Sequence, residues 1–236
     1  MEAVKALFFD VGGTIFDWKN TARQRIEKLA SSQAETIDSE SFANDWRGEM
    51  FKIHNQVRNG NKSWLNSDEM HLQALDVLMH KYPMLKKIDR KALVESTWHE
   101  LKSFDGAVEA IQRLRSQYMV VVLTILNWES IVKSSKSAGV QWDGILSCEF
   151  LGYYKPSLQA YLRGVELLGL HPSEAMMVAA HEGDLSAAGD AGLRTALVSV
   201  PEEDNLTEGF GQTKESAFDI EAEDFNDLCR QLGVLS

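Results

Sequence analysis

Short apolar runs alternate with amphipathic stretches along most of this chain. Ala3–Phe9, Met119–Leu126, Gly144–Cys148, Ala175–Ala180 and Thr195–Val200 are each brief, apolar and followed by turn or helix signals. Continuous apolar strands of this kind belong to a parallel sheet covered on both faces. The segments between them predict helices over Val108–Arg115, Ser130–Ser137, Ser157–Leu168 and Leu185–Ala191. Gly139, Gly169 and Gly192 stand where glycine commonly closes a helix. The expected fold class is α/β, with a doubly wound parallel sheet.

The pattern changes between Asp17 and about Ser103, where no strand-like run occurs. Phe42, Trp46, Met50, Ile53 and Val57 mark one helical face at steps of four and three. Met70, Leu75, Leu78, Met79 and Tyr82 mark a second, and Leu93, Val94, Trp98 and Leu101 a third, with Asp89 as its expected N-cap. A helical lobe inserted after the first strand is the expected arrangement: residues 18–102 form an all-helical cap, and 1–17 with 103–236 form the α/β core. The chain leaves the sheet at its carboxyl edge, so the lobe is expected to lie there as a lid that excludes water.

Composition narrows the class of protein. The chain has 236 residues, 44% hydrophobic and 25% charged, which is ordinary for a globular protein with a substantial core. No stretch approaches a membrane span, and the first residues lack the basic-then-apolar pattern of a secretory signal. Cys148 and Cys229 make no disulfide framework and sit in no metal-ligand cluster, so a cytoplasmic location is expected. A net charge of −11 without a Lys/Arg block argues against nucleic acid as a partner. A small anionic substrate stays compatible, because one pocket can be locally positive in an acidic protein.

Four polar positions stand at or near the ends of four predicted strands: Asp10, Thr124, Lys155 and Asp184. In an open parallel sheet these ends converge on one cleft. Asp10 can serve there as nucleophile, metal ligand or helix cap. Thr124 can donate to a substrate oxygen or to Asp10. Lys155 can keep the Asp10 carboxylate ionised. Asp184 can orient Lys155 or activate a water. Each position alone has an ordinary structural use; their order and strand context give them chemical weight. His54 and His99 lack evident partners and are expected to be structural, as is Cys148 within its strand. His181 is expected to be a hydrogen-bonded pocket residue that positions Asp184.

The ordered set resembles the haloacid dehalogenase superfamily with a helical cap between its first and second motifs. The first motif appears as Asp10-Val11-Gly12-Gly13-Thr14, the second as Val120–Thr124, the third as Lys155-Pro156 and the fourth as Met176–Leu185. Local matches to the L-2-haloacid (type II) group are Trp46-Arg47 in the cap, Tyr161 six residues beyond Lys155, Asp17-Trp18, Ala138–Asp143 and Met176–His181. The resemblance implies hydrolytic dehalogenation of short 2-haloalkanoic acids through an aspartyl ester, without metal or other cofactor. Asp10, Lys155, Asp184, Thr14 and Thr124 would carry the chemistry. Val11, Gly12, Arg47, Asn127, Tyr161 and His181 would bind substrate, the first two through their backbone N–H groups and Arg47 through the halide. Relatives with this cap are often homodimers.

The chain also departs from its relatives. The superfamily's phosphatases carry an acid two residues after the nucleophile, where this chain has Gly12, and open the fourth motif with Gly-Asp, where it has Ala179-Ala180. Type II dehalogenases carry an aromatic at Gly12, Asn at Ile125, Ser and Asn at Ala179 and His181, and Trp at Gly183. Two further readings therefore stand beside the dehalogenase. One is a Mg²⁺-dependent phosphatase with a degenerate metal site, and the other a catalytically silent binding protein of the same fold.

Overall fold

A computed structural model describes residues 3–200 and 218–234. Strands β1 (Ala6–Phe9), β4 (Met119–Thr124), β5 (Gly144–Ser147), β6 (Ala175–Ala179), β7 (Arg194–Val198) and β8 (Ile220–Ala222) form one sheet in the order β5-β4-β1-β6-β7-β8. Every pairing is parallel. The chain runs from β1 to β4 and β5 on one side, then crosses to β6 on the other. The carboxyl ends of β4, β1 and β6 thus lie side by side at a topological switch point.

Alternation along the central strands explains why both faces are covered. Leu7, Phe9, Val120, Val122, Met176 and Val178 join one apolar cluster, whereas Phe8, Val121, Leu123, Met177 and Ala179 join the other. Helices α5 (Ala107–Leu114), α6 (Trp128–Ala138) and α10 (Phe225–Gln231) supply Ile111, Ile131 and Leu228 to the first. Helices α8 (Leu158–Leu167) and α9 (Glu182–Asp190) supply Tyr161, Val165 and Leu185 to the second. The doubly wound sheet expected from the sequence is what the chain forms.

Between β1 and β4 lie α1 (Trp18–Ser32), α2 (Ser39–Arg58), α3 (Ser67–Leu78) and α4 (Arg90–Trp98). Each begins at a side chain that accepts from a first-turn N–H: Asp17 from Asn20, Asp38 from Ser41, Asn66 from Glu69 and Asp89 from Ala92. Two-residue strands bracket this helical segment, β2 (Phe16–Asp17) pairing antiparallel with β3 (Lys102–Ser103). An aromatic cluster fills its interior. Trp18 stacks on Trp98 at 6.2 Å, Trp46 meets Trp98 edge-on at 5.7 Å, and the Trp46 indole donates to the His71 carbonyl at 3.0 Å.

Several sequence expectations shift. The bracketing strands lie where none was expected, and α1 carries no strong apolar stripe in its sequence. Ala3 to Lys5 precede β1 rather than belonging to it. Ile125 and Leu126 follow β4, where the chain turns into α6. Cys148 opens a short helix, α7 (Cys148–Leu151), capped by Ser147. Of the expected run Thr195–Val200, the strand takes only the part up to Val198, starting one residue earlier. His99 is partnered after all, its Nε2 lying 2.7 Å from Asp68 and its Nδ1 3.4 Å from Lys133 Nζ.

Candidate active site

Asp10 follows β1 directly, and its N–H donates to the Val178 carbonyl at 3.0 Å, tying it to the end of β6. The chain then turns sharply, with Val11 O accepting from Ile15 N and Phe16 N. The glycine the turn requires is Gly13, at φ 92°. Among the described residues the N–H groups of Val11 and Gly12 donate to no acceptor. The turn thus leaves two donors beside the Asp10 carboxylate.

Lys155 is fully buried and bridges two carboxylates. Its Nζ lies 2.9 Å from Asp10 Oδ1 and 2.6 Å from Asp184 Oδ2. Thr14 Oγ1 donates to Asp10 Oδ2 at 3.0 Å and accepts from Ala180 N at 3.0 Å. Asp184 lies in the first turn of α9, where the helix dipole favours negative charge. Its Oδ1 accepts from the Tyr161 hydroxyl at 2.5 Å. Asp10 is 3% exposed and Asp184 not at all, so water screens neither.

Burial alone would raise the Asp10 carboxyl. The Lys155 charge and the neighbouring His181 outweigh it and hold Asp10 well below the usual carboxylate range. Asp184 goes the other way, because burial and the Asp10 charge exceed what Lys155 and Tyr161 return. Lys155 is held above its ordinary value, the two carboxylates outweighing its burial. One ammonium therefore separates two carboxylates into an ionised member and one more ready to accept a proton.

Arg47, on α2, reaches this edge from the helical segment. It is 4% exposed, and its guanidinium carbon sits 4.5 Å from the Phe51 ring centroid and 5.0 Å from that of Trp18. A Cβ placed on Gly12 would lie 3.9 Å from Arg47 Nη2. The cap arginine thus meets the turn that follows the strand-end aspartate.

Three residues are placed differently from expectation. Thr14, not Thr124, donates to Asp10; Thr124 Oγ1 instead accepts from Leu126 N at 3.1 Å. His181 faces Asp10, with Nδ1 3.3 Å from Oδ2, rather than Asp184. Asn127 clasps the start of α3: its Oδ1 accepts from the Ser67 hydroxyl and from Asp68 N at 3.1 Å, and its own N–H donates to Ser67 at 2.9 Å. That oxygen is committed to joining the helical segment to the core. Sequence reasoning missed Ser67 and also Tyr154, whose hydroxyl donates to Leu65 O at 2.8 Å and whose ring stacks on Trp64 at 4.4 Å. Position beside Lys155 was the available signal for Tyr154.

The fold and this arrangement of strand-end groups define a capped α/β hydrolase. The chain belongs to the haloacid dehalogenase-like hydrolase family, whose sequence model matches residues 4–192. It is 23% identical over 202 residues to an (S)-2-haloacid dehalogenase 4A of Burkholderia cepacia, covering 84% of each chain. It superimposes on the crystal structure of an L-2-haloacid dehalogenase with TM-score 0.87 and 30% identity, covering 99% of this chain and 100% of the other. A defluorinating L-2-haloacid dehalogenase matches with TM-score 0.87 and 30% identity, covering 98% of this chain and 95% of that one.

Proposed function

We propose that this chain hydrolyses short 2-haloalkanoic acids through an ester on Asp10. The observation that carries this reading is the buried Asp10–Lys155–Asp184 bridge. An ammonium group there keeps a carboxylate ionised in a dry site, which is what attack on carbon requires. The substrate carboxylate lies against the N–H groups of Val11 and Gly12, with Thr14 close by. Asp10 attacks C2, an oxygen–carbon bond forms, and the carbon–halogen bond breaks with its electron pair leaving on the halide. Arg47 and His181 receive the developing halide charge. Water then adds to the carboxyl carbon of the ester and gives its proton to Asp184. Collapse of the tetrahedral adduct breaks its bond to the substrate oxygen, which takes the proton from Asp184 and leaves as the 2-hydroxyacid; the Asp10 carboxyl sheds its remaining proton and is restored as a carboxylate. Two displacements replace one difficult direct attack by water.

The four carboxylate oxygens of Asp10 and Asp184 are engaged by Lys155, Thr14 and Tyr161. Among the described residues, moreover, no three His, Cys, Asp or Glu side chains converge as metal ligands. That donor set favours displacement at carbon over magnesium-assisted phosphoryl transfer. We place the cap boundaries at residues 18 and 102, next to the β2–β3 pair. No described helix is long and apolar enough to cross a membrane. Both cysteines are buried and unpaired, which fits a cytoplasmic enzyme.

The test is chloride release from L-2-chloropropionate with and without EDTA, followed by one turnover in H₂¹⁸O with excess enzyme. EDTA-resistant release with ¹⁸O appearing in Asp10 before the product supports the ester. Label entering lactate directly in that first turnover rejects it, and magnesium-dependent phosphate release from a generic phosphoester supports the phosphatase instead.

A further inference from the structure

Helix α6 turns a polar stripe toward the cap. Asn127 at its N-cap, Ser130 and Ser134 recur at i, i+3 and i+7, and all three are buried. Each bonds a cap residue. Asn127 Oδ1 accepts from the Ser67 hydroxyl and from Asp68 N at 3.1 Å, and Asn127 N donates back to Ser67 Oγ at 2.9 Å. The Ser130 hydroxyl donates to Asp68 Oδ1 at 3.4 Å. Ser134 Oγ accepts from Leu101 N at 3.1 Å and donates to the Trp98 carbonyl at 3.4 Å. The start of α3 and the end of α4 are thereby pinned to one face of α6. A buried helix face is ordinarily apolar, and apolar contact is non-directional. Buried hydrogen bonds are directional, and a satisfied set specifies one arrangement.

Both pinned ends lead to Arg47. From α4, the Trp98 ring lies against it, with the guanidinium carbon 5.6 Å from the ring centroid. From α3, His71 lies one turn beyond Ser67. Its ring stacks on Trp98 at 3.7 Å, and its carbonyl accepts from the indole N–H of Trp46, the neighbour of Arg47, at 3.0 Å. On the core side, Leu126 precedes Asn127, and its Cδ1 lies 3.4 Å from where a Gly12 Cβ would stand. We propose that Asn127, with Ser67 and Ser134, are positioning residues that hold the cap in the register at which Arg47 meets the leaving halide. This rests on the dehalogenase reading for the task of Arg47. The three act through Trp98 and Trp46 rather than on substrate.

Calorimetric titration of bromide and of propionate into the full chain carrying Asp10→Asn separates the two sides of the site without turnover. Bromide reports the Arg47 side, and propionate the Val11 and Gly12 N–H groups of the core. Asn127→Ala is expected to weaken bromide by about fivefold or more and propionate by less than about twofold. Ser134→Ala should produce the same split to a smaller degree. In an Arg47→Lys background, Asn127→Ala should change bromide binding by less than about twofold, because its effect passes through Arg47. In the active chain, Asn127→Ala should lower kcat for 2-chloropropionate about tenfold with KM little changed, since a misplacement of about 1 Å can cost about 10²-fold. Circular dichroism identifies a variant that fails to fold, in which case Ser67→Ala, which removes the other half of the clasp, carries the comparison. Bromide and propionate weakening together, an Asn127→Ala effect undiminished in Arg47→Lys, or an Asp10→Asn chain that binds no bromide overturns the proposal. A bromide-selective loss without chloride release from any haloacid keeps the positioning of Arg47 at an anion site and removes the dehalogenase reading.

Discussion

Gly12 and Arg47 approach so closely that a methyl group on the glycine would stand 3.9 Å from the guanidinium Nη2. The cap and the turn after Asp10 therefore share one small space. Its size is set by the absence of a side chain at position 12. The same methyl would lie 3.4 Å from Leu126 Cδ1, an ordinary van der Waals contact, and Gly12 does not adopt positive φ.

Gly12→Ala should therefore fold well. Loss of glycine freedom in the unfolded chain should stabilise it by about 0.4–1 kcal/mol. The methyl narrows the space under Arg47, so KM for 2-chloropropionate should change more than kcat. Urea unfolding and steady-state kinetics check both, and a loss of stability beyond about 1 kcal/mol would contradict the free space described.

Lys155→Met should be strongly destabilising. It leaves Asp10 and Asp184 buried without their shared cation, and breaking a buried pair in this way costs about 3–5 kcal/mol. The double variant Lys155→Met/Asp184→Asn removes one of the stranded charges and should recover part of that loss. Denaturant midpoints of parent, single and double variants test it; a single variant as stable as the parent would show that the bridge is not a structural necessity.

The central strands and strand-end groups were legible because their signals are local. Apolar runs ending in Asp10 or Thr124 announce themselves within ten residues. Tertiary partners were not. Thr14 and Thr124 are both hydroxyls near strand ends, and only the turn through Val11–Phe16 brings Thr14 Oγ1 to Asp10. Asn127 reads as a pocket donor in sequence. Its capture by Ser67, sixty residues earlier, depends on how α3 meets the core. His99 gains Asp68 and Lys133 from two other helices in the same way. The two-residue strands β2 and β3 are too short to leave a periodic signal.

The opposed shifts within the bridge predict a two-sided pH dependence. Lys155 is raised, so its stabilising contribution is complete below its unfolded value of about 10.4 and is lost as pH rises through the folded one. Asp10 is depressed, so its contribution is present above about 3.9 and lost as pH falls toward the folded value. Asp184 is raised, so ionising it opposes folding, and it takes up a proton at higher pH than an unfolded aspartate. The denaturant midpoint should therefore decline above about pH 10.4, and Asp10→Asn should shrink the decline by removing one of the charges that raise Lys155. A parent profile that runs parallel to that of Asp10→Asn from pH 9 to 11.5 would speak against the coupling. In the proposed mechanism Asp184 takes the water's proton, and its raised value then predicts an acid limb of kcat above the ordinary aspartate value.

Tyr161→Phe isolates the role of Asp184 with little change in shape. The hydroxyl donates to Asp184 Oδ1 at 2.5 Å in a site without solvent, and hydrogen bonds to charged groups contribute about 1.5–3 kcal/mol. Losing that donor favours the protonated carboxyl, so the acid limb of kcat should move to higher pH. In the proposed mechanism ester formation uses Asp10, whose carboxylate is not hydrogen-bonded to Tyr161, whereas ester hydrolysis uses Asp184. The second step should therefore slow more than the first. Rapid quenching and mass spectrometry should then find the Asp10 peptide esterified by the substrate's C2 accumulating in Tyr161→Phe to a greater extent than in the parent, with a burst of chloride preceding a slower steady state. A variant with reduced kcat but no burst and an unmoved acid limb would detach Asp184 from ester hydrolysis and leave Tyr161 a packing residue between α8 and α9.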